Sequence, residues 1–329
     1  MPWHFWDEAN GTWLSVEHYP RLWTDGRGGV GRPGDRASGG LVQPVPGDTG
    51  WSPDHAHQPE LSTVPYLLTG ERWILDNLQA QAAAVIMGTW PQNRQNGEGL
   101  VVQGGQTRGS AWNLRTVDNA AWLSPDGTPE QAYFQTVSAR NWSWLVAKIP
   151  EWTAQQGAAH GWLPGAFRDA GALPPWQQDF FATTAAAAAR RGNADAKTFL
   201  AWQANFLVGR FTHAEEGFNP AWGTAYFIPI SDPTTRTPYG SWAEMGRQMV
   251  AWGLAAKITP WESVNYNQLA LSSLALVAEV TGSATAERVF HALRAAGVRG
   301  STAADYRRDP TNNILPRPLP RPRCPQAGR

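Results

Sequence analysis

From Val64 onward, apolar residues along this chain recur at helical rather than strand spacing. Over residues 71–87, Ile74, Leu75, Leu78, Ala82, Val85 and Ile86 fall on one stripe, the pattern of an amphipathic helix. Residues 107–123 and 129–149 continue it. The second of these is opened by Thr128-Pro129-Glu130-Gln131, a capping box with proline at the first helical position. An alanine run favours helix over 176–190, and further helices are expected over 194–208, 242–256, 261–280 and 284–296. Ser241 with Glu244, and Thr259-Pro260-Trp261-Glu262, carry capping signals for two of them. Val64, Leu67 and Leu68 mark a short helical piece before the first. Only 99–103 and 225–230 have strand composition, and both are short.

The junctions repeat as well. Gly70, Gly127, Gly192 and Gly282 each end one helix a few residues before the next begins. Glycine supplies the left-handed C-cap, and short links make the flanking helices antiparallel neighbours. The expected fold is therefore all-α, built of repeated helical hairpins as in an α-solenoid or an open or closed α/α toroid. Loops rich in Gly, Pro and Trp at 91–105, 151–175 and 212–240 are not needed by such a core, and are where a binding face would be built. Three regions follow. Residues 1–50 form an irregular arm whose aromatics lie against something, and a missing upstream domain would explain its abrupt start. Residues 51–300 form the helical domain, and 301–329 an extended, disordered tail.

Composition changes this picture in two ways. The formal net charge is zero, from 27 basic and 27 acidic residues, which argues against nucleic acid or an anionic membrane surface as a partner. Nineteen tryptophans are far above ordinary usage and suit stacking on sugar rings as well as packing. No apolar run approaches the roughly 20 residues of a spanning helix. The start M-P-W-H-F-W-D-E is not a leader, so a periplasmic or extracellular location would need one upstream. The single Cys324 rules out an intrachain disulfide and a thiolate metal cluster. No cofactor is expected.

Three constellations could carry chemistry. Asp54, His55, His57 and Glu60, between and beside Pro53 and Pro59, read as an acid–base or substrate-binding set, as the cap of a helix N-terminus, or as metal ligands lacking a third spaced partner. Arg108, Trp112, Arg115 and Asn119 share a stripe of the helix at 107–123. That stripe is either a cleft lining or a solvated face with Arg over Trp. His213, Glu215, Glu216, Asn219, Trp222 and Tyr226 gather after the helix at 194–208, as tuned acid–base groups or as a polar loop. A weaker set, His160, Trp162, Trp176, Gln177 and Asp179, reads first as loop packing.

The hairpins L-L-T-G-E-R-W-I-L-D-N-L and A-E-V-T-G-S-A-T-A-E-R-V-F resemble the α/α-toroid (six-hairpin) carbohydrate-active enzymes, over roughly residues 64–296. D-H-A-H-Q-P-E-L followed by V-P-Y-L-L-T-G is similar to segments of bacterial proteins with such toroids. The resemblance implies a polysaccharide substrate in a cleft at one end of the toroid, cleaved by a lyase or a glycoside hydrolase. Catalysis is then expected from His57, Glu60, His213, Glu215 and Tyr226, and substrate binding from Asp54, Arg108, Trp112, Asn119, Trp176 and Trp222. A carbohydrate-binding or scaffold module without turnover, or a fragment of a larger enzyme, is the alternative.

Overall fold

The computed structural model describes residues 3–25, 41–42, 60–103, 105–165, 170–259, 261 and 263–316. Asp54, His55 and His57 lie outside the described residues. The described chain is mostly helical: α1 (Thr63–Thr69), α2 (Arg72–Gly88), α3 (Thr107–Leu123), α4 (Pro129–Gln156), α5 (Pro175–Arg190), α6 (Ala194–Gly209), α7 (Trp242–Ala251), α8 (Val264–Thr281), α9 (Ala284–Ala295) and α10 (Ala303–Arg308). Among the described residues, strands come only in two-residue pieces. Trp6–Asp7 (β1) pairs antiparallel with Thr12–Trp13 (β2), and Thr24–Asp25 (β3) pairs parallel with Leu41–Val42 (β4). Ala172–Leu173 (β5) pairs antiparallel with Ile228–Pro229 (β6), tying two long loops together.

Several boundaries differ from the sequence expectation for identifiable reasons. α4 runs on to Gln156 through Pro150, which removes one rung of its hydrogen bonding without stopping it. α7 ends at Ala251, where Gly253 turns left-handed. α8 begins at Val264, capped by Ser263 accepting from the Tyr266 N–H, because Trp261 has φ +56° and cannot be helical. Residues 100–102 are buried but form no strand; the Val101 N–H donates to Asn141 Oδ1 at 2.8 Å. At the tail, α10 forms with a full capping box between Thr302 and Asp305.

Helical hairpins form as expected. Gly70 (φ +69°) and Gly282 (φ +72°) stop α1 and α8 in the left-handed region that a β-carbon disfavours. α3 and α4, α5 and α6, and α8 and α9 are joined by short links and pack in pairs. The pairs stack side by side, with α5 touching α3 and α8, and α6 touching α4 and α9. The first helix of each pair therefore forms one row, and the second helix forms another.

Within the first row the helices run parallel. Gln178 reaches Thr107 near the start of both α5 and α3, Thr184 donates to the Ala111 carbonyl in the middle, and Arg191 donates to Asn119 near the end. Trp176 stacks on Tyr266 near the start of α5 and α8, and Arg190 pairs with Glu279 near their end. All three N-termini consequently lie at one end of the molecule. The long links lead into that end, and the short links close the other.

The arm at 3–25 packs on the helices. Trp13, Leu14, Val16 and Trp23 are buried, and the Trp13 indole N–H donates to Gln79. Arg94 fastens it: Nε donates to the Asn96 carbonyl, Nη1 to those of Met87 and Thr89, and Nη2 to those of Pro20 and Leu22. Burial lowers this guanidinium to about 10. The main core extends from this arm through every hairpin, while a second cluster around Trp162, Phe206, Phe218 and Trp242 lies beneath the long loops.

Candidate functional site

The long-link end gathers the aromatic and ionisable groups. Arg108, in the first turn of α3, lies between two indoles, 5.3 Å from the Trp112 ring and 5.2 Å from the Trp176 ring. Trp112 is held one turn along by an edge contact to Phe180, at 5.5 Å. Trp176 opens α5, is buried, and donates its indole N–H to the Tyr226 carbonyl at 3.1 Å. Its ring stacks on Tyr266 at 5.6 Å and 12°, and Tyr226 leans on both at 5.9 and 6.0 Å. Parallel α3, α5 and α8 thus place Arg108, Trp176 and Tyr266 at the same level, and the loop after α6 delivers Tyr226.

Tyr226 is 54% exposed, so its ring is the accessible face of this cluster, with Trp176 as buried backing. The Tyr266 hydroxyl is raised above its ordinary range by burial and by Tyr226, against the opposing pull of Arg108. Beside the tyrosines opens a cavity of about 220 Å³, bounded also by Thr224, Lys257, Thr259 and Ser263. A guanidinium within cation–π reach of two indoles, an ammonium and two phenols can bind an anionic, hydroxylated ligand.

His213 and Glu216 form a second group at this end. The His213 ring stacks on Trp242 at 5.1 Å and 11°, and its Nδ1 lies 2.6 Å from Glu216 Oε1. The partner is thus Glu216, while Glu215 is exposed beside it. Trp222 packs edge-on against Phe218 at 5.7 Å, on the second core that also holds Trp242 beneath His213.

Glu60 and Asn119 lie at the opposite end. Glu60 Oε1 accepts from the backbone N–H groups of Ser62 and Thr63, and Oε2 from the Thr63 hydroxyl at 2.5 Å, so this carboxylate caps α1. Asn119 donates to Glu60 at 3.1 Å and accepts from Arg191 at 2.9 Å. Arg191 lies 5.0 Å over the Trp122 ring. Below it the buried Asp118 accepts from Ser138 and Trp142, and burial raises its carboxyl to about 6. Arg115, between the two ends, is lowered by burial, with Glu60 opposing. Eleven residues at 1.5 Å each separate Arg108 from Asn119 by roughly 16 Å along α3.

The structure therefore brings Arg108, Trp112, Trp176 and Tyr226 together, sets His213, Glu215 and Trp222 in neighbouring loops, and places Glu60 and Asn119 elsewhere. Sequence reasoning missed Tyr266 and Lys257. The nearly all-apolar pattern of α8 hid the tyrosine, whose signal would have been a polar aromatic three residues into a helix that follows a long loop. Among the described residues no helix is long and apolar enough to cross a membrane. Comparison with family models, with curated proteins and with solved structures finds no match in any of the three.

Proposed function

We propose that this chain recognises an acidic polysaccharide at the long-link end, and that the two rows of helices are an arc of an α/α toroid whose inner row is α3, α5 and α8. The observation that carries the reading is the Arg108 guanidinium between Trp112 and Trp176, beside the exposed Tyr226 ring. The arginine would pair with a uronate carboxylate and the tyrosine face would stack on a sugar ring. In a β-elimination, the C5–H and C4–O bonds break as the C4=C5 double bond forms; Arg108 would neutralise charge building on that carboxylate, and Tyr226 would take the C5 proton and hand it to the departing glycosidic oxygen. Parallel inner helices and long loops at one end support the toroid.

A non-catalytic binding module is the second reading, favoured by one observation. Glu60 caps α1 at the short-link end, far from His213 and Glu215, so an acid–base pair drawn from those groups has no common substrate position. The test is a screen of uronate-containing polymers with wild type, Arg108→Ala and Tyr226→Phe. Turnover is followed by the ultraviolet absorbance of the unsaturated product and by reducing ends, and binding by affinity electrophoresis. Absorbance lost in Tyr226→Phe with binding kept indicates the lyase; binding without product indicates the module. Binding that survives unchanged in Arg108→Ala, or no binding by wild type, sinks the assignment.

A further inference from the structure

A separate groove lies on α7. Glu244, Gln248 and Trp252 recur every four residues along that helix and its C-cap, which puts them on one stripe. Facing them is the 231–239 hairpin, closed by a bridge between Ser231 and Pro238. Its Asp232, Pro233, Thr237, Pro238 and Tyr239 form the opposite wall, and the two walls flank an open groove of about 490 Å³. That volume falls within the ~300–1,000 Å³ of small-ligand sites.

The lining has a consistent sign. Its ionisable carboxyl groups are Asp232 and Glu244, one on each wall, and the basic side chains of the same two elements, Arg236 and Arg247, are exposed and lie outside it. Both carboxylates face one phenol: the Tyr239 hydroxyl is raised above its ordinary range by burial first, then by Asp232 and by Glu244. Asp232 is kept anionic by the backbone N–H groups of Thr235 and Thr234, at 2.7 and 2.8 Å. Trp252 supplies a partly exposed indole at the same wall, a flat face on which a ring can pack. Gln248 and Thr237 supply neutral donors and acceptors between the charges.

We propose that this groove is a binding site for a small organic cation, a protonated primary amine carried on a hydroxylated ring, with the ammonium between Asp232 and Glu244 and the ring against Trp252. The site stands independently of the Arg108 cluster, since its charge is opposite and it shares no lining residue with the cavity beside Tyr226.

The experiment is ligand-observed saturation-transfer NMR and calorimetry on the full chain with glucosamine as probe. Glucose and N-acetylglucosamine serve as uncharged controls, and butylamine as a ringless amine. Glucosamine is expected to bind in the millimolar range and both neutral sugars at least about tenfold more weakly. Butylamine should bind more weakly than glucosamine, and equal binding would overturn the ring contact with Trp252. Asp232→Asn keeps the turn, because the amide oxygen still accepts from Thr234 and Thr235, and Glu244→Gln keeps the helix start. Each should lower affinity about tenfold with an unchanged melting temperature. Glucosamine binding no tighter than glucose, undiminished binding in the double variant, or no binding by wild type would each overturn the proposal. None of these outcomes depends on acidic-polymer binding, which Arg108→Ala reports separately.

Discussion

The two ends of the parallel row α3, α5 and α8 are built from similar residues and put them to different uses. At the short-link end, Glu60, Asn119 and Arg191 are linked in a chain, and Asp118 beside them is held by Ser138 and Trp142 of α4, so each carboxylate there meets a backbone group or a partner on another element. At the long-link end, Arg108 is held by aromatic faces, and the neighbouring Tyr226 ring is exposed. The same stripe of α3 supplies both. A charged residue on a helix stripe thus says little about its task until the partners across the interface are known. Where links are short they fold back to satisfy the helix end, and where links are long they leave a surface.

The largest effect expected from breaking this contrast comes from Arg94→Ala, behind the long-link end. Five donor bonds to carbonyls disappear and the arm at 3–25 loses its anchor, at about 3 kcal/mol or more. Chemical denaturation measures the loss; an unchanged midpoint would show that the arm is dispensable.

Next is Asp118, whose carboxyl is raised to about 6 from an ordinary 3.8, chiefly by burial. The folded state holds this proton more tightly than the unfolded chain, so the group's contribution is fully present below pH 3.8 and is lost as pH rises through about 6. The cost of the buried charge at neutral pH is of order 3 kcal/mol. Asp118→Asn should flatten that part of the stability–pH curve. If thermal melts keep the wild-type slope, the titrating group lies elsewhere.

Smaller, and opposite in kind, is Arg108→Ala. It should weaken acidic-polymer binding about tenfold, roughly 1.4 kcal/mol, while melting stays near wild type. Glu60→Gln should do the converse. Polymer binding is retained, and the first amides of α1 exchange faster by about 1 kcal/mol of lost capping. α1 buries none of its residues, so hydrogen exchange rather than global melting reads this change. A binding loss in Glu60→Gln comparable with that in Arg108→Ala would erase the distinction between the ends.

Much of the helical architecture was legible in the sequence, because hairpins announce themselves locally. Apolar spacing, Thr128 and Ser241 as caps, and Gly70 and Gly282 as stops all act within a few residues. The end of α4 was less visible, since Pro150 signals a break that the surrounding packing overrides. The site was only half legible. Spacing puts Arg108 and Asn119 on one stripe, but their roughly 16 Å separation matters only once neighbouring helices are placed. Pairings such as Trp176 with Tyr266, ninety residues apart, carry no local signature.

The parallel arrangement of α3, α5 and α8 has an electrostatic consequence that formal charge does not reveal. Each peptide column carries about half a positive charge at its amino end, and three such ends sit side by side under Arg108 and Lys257. The antiparallel partners α4, α6 and α9 bring their carboxyl ends to the same end of the hairpins and offset part of this charge, so the positive potential is local to the row that carries Arg108. Capture of an anionic chain should accordingly be fast in dilute buffer and slow as added salt shrinks the Debye length.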